Sequence, residues 1–146
     1  MRTNLSIDEM GGLLDEPRVA VLATYRRDGT VLLSPVWFEW RDGAFHVWVG
    51  ANNVKARHLR RDRRASILVA ESDLPLRGVE ARGSATLVSE GAWEAARRIS
   101  ARYVGREAAD AFVGPDAGED LILRLEPVEL RAWDFADDLG GGPESR

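Results

Sequence analysis

Between positions 18 and 49 the apolar and β-branched residues fall into three runs separated by Asp-Gly pairs. Arg18–Tyr25 leads into Arg27-Asp28-Gly29-Thr30, Val31–Trp40 leads into Asp42-Gly43, and Ala44–Val49 follows. Asp-Gly supplies the positive φ angles of tight hairpins, so the pattern predicts an antiparallel meander. Upstream, Ser6 with Glu9 three residues later reads as a capping box, and Met10, Leu13 and Leu14 supply the apolar face of a short helix that Pro17 closes. Downstream, Val54–Asp62 reads as a short helix with an Asn as its cap, and Arg64–Glu71 as a strand.

In Gly78–Val88 the residues Val79, Ala81, Gly83, Ala85 and Leu87 alternate with mostly polar neighbours, and the mid-strand Gly83 predicts a bulge or a corner. Glu90–Val113 has helical spacing, with Trp93, Ala96, Ile99 and Tyr103 on one face and a break at Gly105. Leu121–Phe135 returns as a strand that Pro127 interrupts. Six strands with a crossing helix and a helical insert before the last strand predict an α+β, mainly β fold with a closed or split barrel. Residues 1–136 are expected to form one cofactor-binding domain, and the acidic, Gly-rich tail 137–146 to be disordered.

Composition narrows the chemistry. The 146 residues contain no cysteine, which excludes disulfides, thiol catalysis and Cys-based metal sites. A net charge of −4 argues against general nucleic-acid binding. Apolar runs such as Val19–Tyr25 are far below the roughly 20 residues of a membrane helix, and no apolar run with a cleavage site follows Met1, so the expected location is the cytoplasm. Nineteen arginines accompany one lysine, Lys55. Codon bias in a GC-rich genome explains the ratio, and it leaves the exception as a position to watch.

Val49-Gly50-Ala51-Asn52-Asn53-Val54-Lys55-Ala56-Arg57 is the most informative segment. A strand ends, a polar turn follows, and a helix begins with two cations in its first turns. Cations oppose the helix dipole at that end unless an anion sits there. The segment reads either as a phosphate cradle or as a solvated basic helix end. In Leu33-Ser34-Pro35-Val36-Trp37-Phe38, Pro35 removes a ladder donor, which fits backbone facing a flat ligand and equally fits an edge strand or bulge. Arg60-Arg61-Asp62-Arg63-Arg64 reads as an electrostatic patch or as a solvated face. His46 and His58 have no second ligand nearby in sequence, so no metal site is expected. Ser34 sits in no nucleophile elbow. The five tryptophans, Trp37, Trp40, Trp48, Trp93 and Trp133, read as core or interface residues, with ligand stacking by one of them as the alternative.

Taken in order, Ala20-Val21-Leu22-Ala23-Thr24, Asp28-Gly29, Ser34-Pro35-Val36-Trp37-Phe38, Lys55 through Asp62, Ala65 through Val69 and Val79-Glu80-Ala81-Arg82-Gly83 resemble the pyridoxamine-5′-phosphate-oxidase-like split barrels. Within them the chain most resembles the flavin/deazaflavin oxidoreductases that bind coenzyme F420. The resemblance covers residues 12–90 and, more weakly, the last strand. It implies a six-stranded antiparallel split β-barrel of the FMN-binding type and a homodimer with two cofactor sites at the subunit interface. It places the ring system along Ser34, Pro35, Val36 and Trp37. It places the phosphate at Asn53, Val54 and Lys55, with Arg57 close by and Val49 at the end of the strand that leads there. The Pro75–Gly78 loop of the second chain would close the site. His58 stands where Asn is more usual, Arg63 where Pro is common, and Asn53 where Arg or Ser is frequent.

The activity implied is hydride transfer between a reduced cofactor and a small unsaturated or aromatic substrate. No catalytic acid or base is assigned, with Tyr25 and His46 as the candidates at hand. F420 is expected as cofactor because its long anionic tail suits the Arg57–Arg64 stretch, with FMN as the alternative. A non-catalytic cofactor carrier and a haem-handling split barrel are the other readings.

Overall fold

The structure, a computed structural model, describes residues 1–3 and 5–136. The tail expectation for 137–146 lies outside the described residues. Strands β1 (Ala20–Tyr25), β2 (Val31–Val36), β3 (Phe38–Arg41) and β4 (Ala44–Gly50) come first, then helix α1 (Val54–Arg61), β5 (Arg64–Ala70) and β6 (Gly78–Val88). Helices α2 (Ala92–Val104) and α3 (Arg106–Val113) precede β7 (Asp120–Leu125) and β8 (Glu129–Trp133).

The two hairpins form with different turns. Asp42 and Gly43 both take positive φ, 52° and 73°, in a two-residue connection between the paired Arg41 and Ala44. At the first hairpin only Gly29 is left-handed, at 87°, and the loop is longer, closed by Arg26 N–H donating to the Thr30 carbonyl at 2.8 Å.

The meander is corrected in one respect. The predicted strand Val31–Trp40 breaks at Trp37 into β2, which pairs with β1, and β3, which pairs with β4. The order along the sheet is β2-β1-β5-β6-β7-β4-β3, so β2 and β3 sit at opposite ends of the path. Chain connectivity through Trp37, rather than a ladder, joins those ends, which makes this a split barrel. The last predicted strand likewise breaks near Pro127 into β7 and β8, and six predicted strands appear as eight segments. β6 turns the corner at Gly83, pairing with β8 up to Arg82, with β5 through Ser84 and with β7 from Ala85 onward. A Cβ at Gly83 would stand 2.6 Å from the Glu126 carbonyl oxygen, so only glycine fits there.

The barrel interior is filled by Leu22, Phe38, Phe45, Val47, Ile67, Val69, Leu123 and Leu125, all essentially without solvent exposure. Met10, Leu13 and Leu14 join that core. They do so from two short 3₁₀ turns, Ile7–Met10 and Leu13–Asp15, and not from one helix. Gly11 and Gly12, at φ 61° and 81°, split the expected helix. The capping box is present, with Glu9 accepting the Ser6 N–H at 3.0 Å.

An ionic cluster ties the N-terminal turns to the β5–β6 loop. Arg77 grips Glu71 with Nε and Nη2, both at 2.8 Å, and its Nη1 donates to the Met10 carbonyl at 2.6 Å. Arg18 adds a 3.2 Å contact to the same carboxylate and also pairs with Glu16. The Arg77 guanidinium holds the Glu71 carboxyl down at about 2.

Candidate functional site

The two segments singled out in the sequence meet at one place. Pro35, Val36 and Trp37 at the strand switch and Lys55 in the first turn of α1 line a single cleft of about 380 Å³. Its other walls are Val19, Trp48 of β4, Ile99 and Ser100 of α2, and Phe112 of α3. This size and largely apolar lining match small-molecule sites in general.

α1 begins because Asn53 caps it: the Asn53 side-chain oxygen accepts the Lys55 N–H at 2.9 Å. Capping leaves that side-chain oxygen committed to the backbone. The Lys55 ammonium is half-buried, and burial lowers its pKa, with no carboxylate among the described residues acting against the shift. A desolvated cation without a counter-charge is a receptive partner for an anion.

The strand switch is held from behind. The Tyr103 hydroxyl accepts the Phe38 N–H at 3.0 Å and reaches the Arg18 carbonyl at 2.8 Å, while Arg102 donates to the Phe38 carbonyl. Trp37 packs against Tyr103 and Phe112, whose ring centroids lie 4.8 and 5.3 Å away. Trp48 donates its indole N–H to Asp120 at 2.8 Å. Because β2 has a partner strand on one side only, half of its backbone groups point away from the sheet.

The remaining residues named from sequence are placed less uniformly. Ser34 is buried on the inner face of β2, and Val49 is in the barrel core. Val54 and Arg57 do not line the cleft. They border a second depression of about 560 Å³ that flanks α1 and is ringed by Arg26, Arg27, Arg60 and Arg61 with His58. The Arg60–Arg64 run therefore divides. Arg60 and Arg61 face this basic depression, whereas Arg64 pairs with Asp62 at 2.7 Å and Arg63 donates to the Ala85 carbonyl at 3.1 Å.

Neither histidine faces the cleft. His58 is buried with its Nδ1 3.0 Å from the Thr24 hydroxyl, and burial, reinforced by Arg61, Arg26 and Arg57, lowers its pKa. His46 lies 3.2 Å from the Arg41 carbonyl, its pKa lowered mainly by burial. Tyr25 stacks under Arg64, 4.5 Å from ring to guanidinium carbon, beside a different depression. The three acid–base and haem candidates are thus elsewhere. Among the described residues no group of three His, Asp or Glu could hold a metal ion. The 71–78 loop packs on the N-terminal turns through Arg77 and does not line the cleft of its own chain.

Sequence reasoning named Trp48 only as one of five tryptophans that could stack on a ligand, and missed the rest of the far wall. Trp48, Ile99, Ser100 and Phe112 come from elements whose apolar faces were legible but whose partner was not. Ser100 in the middle of α2 carries the one available signal, a hydroxyl on an otherwise apolar helix face.

The family described as pyridoxamine 5′-phosphate oxidase matches residues 6–134 of the chain. No curated protein matches it. Among solved structures, a conserved hypothetical protein from Mycobacterium tuberculosis is 28% identical, with a TM-score of 0.78, covering 96% of this chain and 94% of the other. A protein described as an F420 reductase is 24% identical, with a TM-score of 0.68 and coverage of 82% and 93%. A FAD-binding protein from Mesorhizobium loti is 21% identical, with a TM-score of 0.65 and coverage of 90% and 97%. The last two likenesses speak to the fold.

Proposed function

The chain belongs to the pyridoxamine 5′-phosphate oxidase family, and on that premise we propose that it is an oxidoreductase that binds coenzyme F420 in the cleft between the strand switch and α2. The bound deazaflavin supplies hydride chemistry toward a small unsaturated or aromatic substrate. The observation that carries this reading is the convergence of Lys55, half-buried and without a counter-charge among the described residues, with the Pro35–Trp37 strand switch in one cleft.

Each part of the chain has a task in this reading. Lys55 and the first amides of α1 hold the phosphate, where an anion meets both a desolvated ammonium and the positive end of the helix. Pro35, Val36 and Trp37 fix the plane of the ring. Trp48, Ile99 and Phe112 keep water from it. Arg26, Arg27, Arg57, Arg60 and Arg61 sit around the neighbouring depression, suited to a tail of several carboxylates, which F420 has and FMN lacks. That basic surface favours F420 over FMN.

The second copy is part of the same proposal. On the outer face of β2-β1-β5, Val31, Leu33 and Pro35 run beside Val21 and Ala23, with Leu68 next to Val21. Leu33 is 64% exposed. So large an apolar sheet face is a docking surface for a second chain.

Titration of the purified chain with F420 and with FMN tests the cofactor, and turnover of reduced F420 with panels of enones, quinones and nitroaromatics tests catalysis. Micromolar or tighter F420 binding, weakened by salt, is the expected result. Tight FMN binding without an F420 response reverses the assignment, and binding without turnover of any acceptor makes the protein a carrier.

A further inference from the structure

Five arginines ring the depression that flanks α1: Arg57, Arg60 and Arg61 from the helix, and Arg26 and Arg27 from the turn after β1. None of them forms an ion pair with a carboxylate of the described residues. The acidic groups nearest to them in charge are engaged elsewhere. Asp28 accepts the Thr30 N–H and hydroxyl, at 3.0 and 2.7 Å, and Asp62 pairs with Arg64.

Three of the five are held by backbone carbonyls instead. Arg26 Nη1 donates to Val31 at 2.9 Å, Arg60 Nη1 to Ala51 at 3.0 Å and Arg61 Nη2 to Tyr25 at 2.6 Å. A carbonyl fixes a guanidinium in place and leaves its charge uncancelled. Elsewhere Arg64, Arg77, Arg82, Arg97 and Arg98 each meet a carboxylate. The unpaired cations are gathered around one hollow, where they repel one another and attract anions.

His58 is part of the same wall. The residue is 7% exposed, and its Nδ1 lies 3.0 Å from the Thr24 hydroxyl on β1. Burial, then Arg61, Arg26 and Arg57, favour the neutral ring, and every charged group acting on it is a cation. β4 and β6, the other strands packed on α1, bring no charged group to bear among the described residues. A ligand cannot undo the burial, but carboxylates among the arginines would cancel their repulsion and attract a proton. Imidazole is the side chain in this wall whose ordinary value lies close enough to neutrality to respond.

We propose that this depression is a proton-coupled site for an oligocarboxylate, in which His58 takes a proton from solvent as the anion settles among the arginines. Binding therefore tightens as pH falls from about 8 toward about 6. The imidazolium acts through its charge and needs no direct contact with the ligand. The proposal rests on the reading of the depression as the seat of an anionic tail.

The test uses the full chain at low salt and an N-acetylated tetraglutamate peptide, whose carboxylates stay ionised above about pH 5.5. Titration calorimetry in buffers of different ionisation enthalpy counts the protons taken up on binding. Uptake of up to about one proton near pH 6.5 is expected, with affinity about threefold to tenfold tighter at pH 6 than at pH 8, as a rise of roughly one pKa unit gives. His58→Asn, which keeps a polar partner for Thr24, should bind the peptide without uptake or pH dependence, and His46→Gln should keep both. Binding without uptake in the wild type overturns the proposal, whatever the fold of the variants. Uptake that persists in His58→Asn overturns it too. F420 binding that depends on Lys55, with no binding of the peptide at millimolar concentration, overturns this proposal and the placing of the tail but leaves the cleft as the cofactor site. Peptide binding with uptake in a chain indifferent to F420 supports this site and removes the proposed function.

Discussion

The Trp37 indole lies flat on the ring of Tyr103, with centroids 4.8 Å apart and planes within 5° of parallel. This stack joins the residue where the barrel changes sheets to the helix that forms the opposite wall of the cleft. Tyr103 then bonds the backbone just after the switch, at Phe38, and the separate segment leading into β1, at Arg18. Tyr103→Phe keeps the stack and removes those bonds, leaving the buried Phe38 N–H without an acceptor. The expected cost is about 1–3 kcal/mol of folding stability, read by chemical denaturation. A change within a few tenths of a kcal/mol would show that the stack alone holds the switch.

Lys55→Ala tests the anion end of the cleft. Loss of a charge-assisted contact of about 1.5–3 kcal/mol lowers F420 affinity roughly tenfold to a hundredfold. Stability without ligand should hold or rise, because a half-buried cation leaves the start of α1, where the helix dipole opposes it. Arg63→Ala is the matched control, since its guanidinium is turned to the Ala85 carbonyl. Equal losses in the two variants would point to a diffuse field instead of a phosphate seat.

Glu71 makes stability sensitive to acid in a defined window. Its carboxyl is held at about 2 in the folded chain against 4.5 as the reference value. The sign follows: the contribution is complete above pH 4.5 and is lost as pH falls from there toward 2. Glu71→Gln, which strips Arg77 and Arg18 of their shared partner, should cost about 3 kcal/mol at neutral pH. It should also flatten the acid limb of a melting-temperature profile, and an unchanged limb would place the acid sensitivity elsewhere.

Leu33→Glu puts a charge in the middle of the apolar face of β2-β1-β5. If a second chain covers that face, light scattering should show a shift from twice the chain mass to the chain mass. The wild type already running as a monomer at micromolar concentration would remove the shared-site arrangement.

The sequence made local structure readable and left its long-range partners hidden. An Asn as the cap of α1, Gly105 as a break and Gly83 as a corner each express a backbone constraint carried by a single residue, and all three appear in the structure, the cap being Asn53. Trp37 was different. The apolar pattern runs through it without interruption, and period-two alternation says which face a residue takes but not which strand lies alongside. The N-terminal helix failed for the opposite reason, since Gly11-Gly12 outweighs a correct capping signal. For the site, Lys55 and Pro35–Trp37 were legible as chemistry, while Val54 and Arg57 went to the neighbouring depression because successive helix positions point in different directions. Ser100 and Phe112 reach the cleft only through the packing of α2 and α3 on the barrel, which no local pattern encodes.

Since the chain through Trp37 both joins the two ends of the sheet and lines the cleft, that wall of the site should not open independently of the barrel. Elsewhere, binding loops are often the first part of a protein to open, exchanging their amides at little free-energy expense. Here the Phe38 amide, locked between the barrel and Tyr103, should exchange with deuterium only when the whole barrel unfolds. Its protection factor would then track global stability variant by variant. A ligand seated against that floor would slow exchange across the entire sheet, reporting occupancy from strands that never touch it.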